Sequence, residues 1–189
     1  LMLVYGPIWR NRVPLFFSSA RAQQALAALI PSGQHTFLDV GCGDGRVLAG
    51  LATARPDCRF DGIEQAWVPW LLAQLRCWAG KKPYRVHHGD LWTCDLAGYD
   101  VVYAYLSPAV MTQLWKKAKR EMRPGAILVG VFAIPGVAPA RTVDIRDTMH
   151  THLHVWRISP GRSMHATENA TRRAPRAAQS GGSRARRAT

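Results

Sequence analysis

The chain has 189 residues, and 48% of them are hydrophobic, which is enough apolar material for a globular domain with a sizeable core. The formal net charge is +13, which favours an anionic partner such as nucleic acid or a membrane surface. The four cysteines form no Cys-x-x-Cys pair and no cluster with zinc-type spacing. This pattern argues against a disulfide framework and a structural metal site, so we expect reduced thiols and no bound metal.

The two ends of the chain differ from its middle. Residues 1–34 begin with a short apolar stretch that resembles either the end of a removed membrane segment or a loose strand, followed by a first helix. Residues 161–189 contain seven Arg against Glu168 alone and show no apolar period, which predicts a disordered tail able to bind an anionic partner nonspecifically. The remaining residues, 35–160, form the predicted domain. We expect a location on the cytoplasmic side, with membrane attachment through a segment preceding Leu1 as an alternative.

Strand and helix patterns alternate at short spacing through most of residues 35–133. This alternation predicts βαβ units and a mostly parallel sheet with helices on both faces, an α/β Rossmann-like fold. A last strand with alternating polarity is expected to pair antiparallel. The predicted helices cover residues 20–30, 45–54, 67–79 and 108–122, and the predicted strands cover residues 35–40, 58–64, 84–88, 100–106, 126–133 and 152–158.

A glycine-rich turn, Asp39-Val-Gly-Cys-Gly-Asp-Gly45, follows the first predicted strand. Glycines let the backbone bend sharply and approach a ligand without a Cβ in the way. The helix that follows offers free N–H groups and a positive dipole end, which suit the carboxylate of an amino-acid-like ligand. Arg46 stands where a dinucleotide fingerprint is not satisfied, which argues against NAD or FAD. The alternative interpretation is a tight strand–helix turn.

Two acidic residues follow the next two predicted strands. Glu64 can accept hydrogen bonds from a ribose diol, and Asp90 can accept one from an adenine amino group while Leu91 covers the ring. Because ligands bind beyond the carboxyl ends of parallel strands, these side chains and the glycine turn can surround one adenosyl group. A solvent-exposed strand-end acid and an ordinary Gly-Asp turn are the alternatives.

These residues resemble known motifs. Phe37-Leu-Asp-Val-Gly-Cys-Gly-Asp-Gly-Arg46 resembles motif I of the class I S-adenosylmethionine (SAM) dependent methyltransferases, and Met122-Arg-Pro-Gly125 falls where a later motif stands. Gly89-Asp-Leu-Trp92 and Tyr99-Asp-Val-Val102 are similar to a small lysine methyltransferase family, whose mitochondrial members modify the adenine nucleotide translocase and the c-type subunit of the ATP synthase.

The resemblance implies SAM as cofactor, S-adenosylhomocysteine as product and a protein lysine as methyl acceptor, in a substrate that can be a membrane protein. It implies a cofactor site formed by Asp39, Gly41, Cys42, Gly43, Gly45, Glu64, Asp90 and Leu91. No general base stands out. Tyr103, Tyr105 and Ser107 share one face at the end of the fourth predicted strand and are the candidate catalytic residues, with a structural role in the core as the alternative.

Two rival functions remain open. The positive charge also suits an RNA-binding or RNA-methylating protein, although the Asn-Pro-Pro-Tyr motif of many base-amino methyltransferases is absent from the sequence. A nucleotide-dependent oxidoreductase is disfavoured by Arg46.

Overall fold

The computed structural model describes residues 20–80, 83–147 and 150–160. Seven strands form one sheet in the order β3-β2-β1-β4-β5-β7-β6. Strands β1 to β5 run parallel, whereas β7 pairs antiparallel with both β5 and β6. The strands are β1 Thr36–Val40, β2 Arg59–Glu64, β3 Tyr84–His88, β4 Val101–Ala104, β5 Ile127–Gly130, β6 Arg141–Asp144 and β7 His152–Arg157.

Four described helices cover the two faces of the sheet. The first three pack on one face and the fourth packs on the other, as the residues of the two apolar cores show. The sheet is therefore the middle layer of a three-layer α/β sandwich, as the sequence predicts. The helices are α1 Ala20–Leu29, α2 Arg46–Ala54, α3 Trp67–Gly80 and α4 Pro108–Glu121.

The central strands are apolar on both sides because each side meets a helix layer. In β1, Phe37 joins the core beneath α1 to α3, whereas Leu38 joins the core beneath α4. Successive side chains of a strand point to opposite faces, so a strand buried on both faces has a continuous apolar run. This requirement explains why strands β1 and β4 could be recognised from short apolar segments.

The predicted elements are confirmed with small shifts at their ends, and one strand was missed. Strand β6 lies at the edge of the sheet and is mostly exposed, so its sequence lacks the apolar pattern of a buried strand. The apolar start and the Arg-rich tail predicted to be disordered lie outside the described residues. Among the residues that the structure describes, no helix combines the length and apolar character needed to cross a bilayer.

Gly62 in β2 offers a test of this packing. A Cβ at Gly62 would lie 2.6 Å from Leu48 Cδ1 and 2.8 Å from Cys42 Sγ, which is closer than van der Waals contact allows. We expect Gly62→Ala to lower the free energy of unfolding by about 1–3 kcal/mol in urea denaturation. Gly98→Ala is the control, since a Cβ there meets nothing within 4 Å. Its free energy of unfolding should stay within about 0.5 kcal/mol of the wild type, and equal effects of the two changes would contradict this packing.

Candidate functional site

The candidate site lies where the strand order reverses. The chain runs from β1 outward to β2 and β3, then returns to place β4 on the other side of β1. A crevice opens beyond the carboxyl ends of the strands at such a switch point, and ligands bind there in open α/β sheets. The glycine turn follows β1 directly, so it lies at this crevice.

The backbone of the glycine turn adopts conformations that favour glycine. The φ angles of Gly41, Gly43 and Gly45 are 76°, 55° and 71°, and L side chains rarely adopt this region. A Cβ on Gly43 would meet nothing within 4 Å, so this face of the turn borders open space. A Cβ on Gly45 would instead lie 3.1 Å from the Cβ of Ala73 in α3. The turn is thus packed on one side and open on the other.

Glu64 connects the glycine turn to the two neighbouring turns. Its Oε2 accepts a hydrogen bond of 2.9 Å from the backbone N–H of Gly43, and its Oε1 accepts one of 2.8 Å from the N–H of Ala66. The carbonyl oxygen of Glu64 accepts a third hydrogen bond, 3.0 Å long, from the N–H of Gly89. The half-buried carboxylate is therefore fixed in position beside the turn. Each of its oxygens has a second lone pair that a ligand hydroxyl can use.

Asp90 and Leu91 follow β3 on the same side of the sheet. The Oδ1 of Asp90 accepts a hydrogen bond of 3.0 Å from the N–H of Trp92, which closes a local turn. Leu91 is half-buried and packs against the core beneath α4. The bond from Gly89 to Glu64 places this turn next to the ribose-binding candidate, so the structure brings together the three predicted parts of the cofactor site.

The acidic groups at the turn have different environments. Asp39 is buried with only 3% of its surface exposed, and this desolvation, with the charge of Glu64, raises the pKa of Asp39 to about 8. Asp44 is instead paired with Arg76 at 2.8 Å and with Arg46 at 3.1 Å. Burial also raises the pKa of the Cys42 thiol, so Cys42 stays protonated and is unsuited to act as a nucleophile.

The candidate catalytic residues of β4 and the turn after it differ in accessibility. Tyr103 is 3% exposed, and its ring packs against Phe37 with centroids 6.5 Å apart. This position matches the alternative in which the tyrosine belongs to the core, and we assign Tyr103 no role in acceptor binding. Tyr105 is half-buried, and burial raises its pKa, so its phenol can hydrogen-bond but is a poor base. Ser107 is the N-cap residue of α4 and makes no side-chain capping hydrogen bond.

Two contacts of the site were not predicted from the sequence. Leu106, between Tyr105 and Ser107, approaches the glycine turn, since a Cβ on Gly41 would lie 3.3 Å from Leu106 Cδ2. Arg76 reaches from α3 to Asp44, with its Nε 3.0 Å from the Asp44 carbonyl oxygen. Both contacts join residues far apart in the chain, and no local pattern marks them. The apolar run after Tyr103 was the available signal for Leu106.

A model of the ANTKMT methyltransferase domain matches residues 39–141, which include the glycine turn, Glu64 and Asp90. The chain belongs to this methyltransferase family. The adenine nucleotide translocase lysine N-methyltransferase of Mus musculus is 31% identical over 71% of this chain and 59% of its own length. The lysine N-methyltransferase of Rattus norvegicus that is named for the c-type subunit of the ATP synthase is 26% identical over 69% of this chain and 61% of its own length. The chain thus spans about three fifths of the length of these curated relatives.

A solved methyltransferase has a similar fold. The RNA methyltransferase from Salinibacter ruber, crystallised with S-adenosyl-L-homocysteine, superposes with a TM-score of 0.67 and 26% identity. The match covers 78% of this chain and 94% of that one. The seven-stranded sheet with antiparallel β7 is therefore a class I methyltransferase fold, and the cofactor of this class is SAM.

The residues of this methyltransferase domain fit SAM. The open face of Gly43 lets a ligand approach the backbone, and Glu64 lies 2.9 Å from that same turn with lone pairs for ribose hydroxyls. Asp90 follows the neighbouring strand, where its carboxylate can accept a hydrogen bond from an adenine amino group. Among the described residues, no cluster of His, Cys, Asp and Glu is arranged to hold a metal ion.

The raised pKa of Asp39 has a consequence for stability. The folded chain keeps the Asp39 proton up to about pH 8, whereas the unfolded chain releases it near its ordinary pKa of 3.8. Folded molecules therefore bind more protons between these values, and the contribution of Asp39 to the free energy of unfolding falls as the pH rises from about 4 to about 8. We expect Asp39→Asn to gain stability relative to the wild type over this interval, measured by urea unfolding between about pH 5 and about pH 8.

Asp57 supplies the control for this experiment. Its pKa is lowered to about 2 by the hydrogen bond from Arg55, so it stays ionised throughout the interval. The stability difference between Asp57→Asn and the wild type should therefore be constant between about pH 5 and about pH 8. A constant difference for Asp39→Asn as well would show that Asp39 is ionised in the folded chain.

Proposed function

We propose that this chain transfers a methyl group from SAM to the side-chain amine of a lysine in a protein substrate. The observation that carries the proposal is the hydrogen-bonded pair of Gly43 and Glu64 at the switch point, open to a ligand on the Gly43 side. The relatives named as lysine N-methyltransferases support the choice of acceptor. We also propose that the substrate is met at a membrane, which the net charge of +13 supports.

SAM, when bound, supplies an electrophilic methyl group. The chain itself positions the two reactants and excludes water between them. In this proposal, the turn at Gly43 contacts the amino-acid part, Glu64 accepts from the ribose, and Asp90 with Leu91 holds the adenine. The end of β4 faces the acceptor, where the Tyr105 hydroxyl, Ser107 and main-chain carbonyls can hold an amine. A lysine has an ordinary pKa of about 10.4, so burial at this apolar edge favours the neutral amine that the reaction needs.

Cofactor binding can be tested by calorimetry with SAM and S-adenosylhomocysteine. We expect Glu64→Ala to weaken binding roughly tenfold or more, because it removes a charged acceptor for the ribose. Gly43→Val should also weaken binding, since it adds a side chain on the face that the ligand approaches. The matched control is Asp57→Ala, which removes a carboxylate just before the other end of β2. Unchanged affinity in folded Glu64→Ala and Gly43→Val variants would refute the site.

The acceptor can be identified by radiolabel transfer. We expect tritium from methyl-labelled SAM to enter protein in membrane and soluble lysates, and to appear as N-methyllysine after acid hydrolysis. Treatment with ribonuclease should leave this label unchanged. Glu64→Ala serves as the background control because it removes a residue of the proposed cofactor site.

RNA methylation is the second candidate, because the similar solved structure is named as an RNA methyltransferase and is matched over nearly its whole length. The same labelling experiment separates the two. Loss of label on ribonuclease treatment, with none in N-methyllysine, would establish RNA as acceptor and contradict the lysine proposal while leaving methyl transfer intact.

A further inference from the structure

Helix α3 exposes a continuous apolar surface. Six large side chains point to solvent along one side of the helix, and Trp78 is 82% and Trp67 66% exposed. Their spacing of three and four residues places them in one stripe about 16 Å long at 1.5 Å per residue. We name it the Trp/Leu stripe, and it consists of Trp67, Val68, Leu71, Leu72, Leu75 and Trp78.

The opposite side of α3 is already occupied by the domain. Ala73 is fully buried against the glycine turn, and the Nε2 of Gln74 donates a hydrogen bond of 3.0 Å to the carbonyl oxygen of Val86 in β3. The helix is thus apolar on its inner and its outer side. A helix that is apolar all round belongs in a protein interior or in a membrane, so the Trp/Leu stripe needs a second apolar environment.

The charges around the stripe indicate what that environment is. Residues 65–89 contain no Asp or Glu, whereas Arg76, Lys81, Lys82 and Arg85 are all cationic. Trp at both ends of an apolar stripe with flanking Lys and Arg is the composition of a helix that lies in a membrane interface. Trp rings favour the headgroup level, and the cations attract anionic lipids.

A second copy of the chain fits this surface less well. A two-fold symmetric contact pairs the same surface with itself, so the cations beside one stripe would face the cations beside the other. Nucleic acid also fits poorly, because the valine and three leucines of the stripe offer no donor to phosphate. The charge pattern therefore favours an anionic lipid surface.

We propose that the Trp/Leu stripe docks the domain onto an anionic membrane surface. The stripe begins at the candidate site, since the N–H of Ala66 binds Glu64 and the ring of Trp67 stacks on His88 at 3.8 Å. Docking therefore brings the carboxyl edge of the sheet close to the lipid headgroups. The docking itself does not depend on the proposed methyl transfer, and it can be measured without cofactor.

The test measures binding of the full chain to vesicles of phosphatidylcholine with about 30% phosphatidylglycerol, by sedimentation and by Trp fluorescence. We expect the wild type to bind, its emission to shift to the blue, and pure phosphatidylcholine to bind it more weakly. The Leu71→Gln/Leu75→Gln variant should lose binding by more than about tenfold, because both side chains leave water on docking. Phe132→Gln is the control, since Phe132 is an exposed apolar residue outside α3.

Independent variants and probes keep the outcome decisive. Val68→Gln/Leu72→Gln should lose binding equally, and thermal unfolding checks that both double variants fold. Binding of both double variants at the wild-type level would assign it to another part of the chain and overturn the proposal, as would a wild type that binds no vesicles.

Other occupants of the stripe give distinct results. A dimer of the wild type that dissociates in the Leu71→Gln/Leu75→Gln variant, measured by light scattering, would identify a second copy. A Trp78 contribution, taken as the difference between wild type and Trp78→Phe, that resists acrylamide quenching without lipid would show that the stripe is already covered. Either result would overturn membrane docking and leave the proposed cofactor site untouched.

Discussion

The site depends on one carboxylate held at the tip of a strand. Glu64 accepts backbone hydrogen bonds from Gly43 and Ala66 through its side chain and from Gly89 through its carbonyl oxygen. One residue at the end of β2 thereby fixes the glycine turn, the start of α3 and the turn after β3 relative to each other. Such a site is held by rigid elements and needs little reorganisation on binding, which keeps the entropic cost of ordering a ligand low.

Charge is distributed unevenly in this basic protein. The chain carries +13, yet Asp39, Asp44 and Glu64 gather at the turn after β1. Crowding them is tolerated because Asp44 is neutralised by Arg46 and Arg76, while burial keeps a proton on Asp39. Glu64 therefore remains the accessible anion of the crevice. A cationic sulfonium and a lysine ammonium both favour a site of this sign, whereas the basic exterior favours an anionic environment.

Most of the fold and part of the site follow from local sequence patterns. Strands β1 and β4 are buried on both faces and so have continuous apolar runs, and parallel strands bring the turns after them to one edge. Contacts between distant residues, such as Arg76 with Asp44 and Leu106 with Gly41, leave no such pattern. Strand β6 escaped prediction because it is exposed at the edge. The alternation of β4 gave the shared face of Tyr103 and Tyr105 but could not tell that Tyr103 is enclosed by the core.

The close approach of the glycine turn to α3 also explains the outer surface of that helix. A Cβ on Gly45 would lie 3.1 Å from the Cβ of Ala73, so the helix and the turn can meet only if the inner side of α3 carries small residues at this level. Large side chains on α3 are thereby excluded from the core at this level. Packing within the domain cannot account for Leu71, Leu75 and Trp78 on the outer side, since they contribute exposed surface there. Their presence must be explained by an interaction beyond the folded domain, and the absence of any acidic residue between Glu64 and Asp90 gives that interaction its sign.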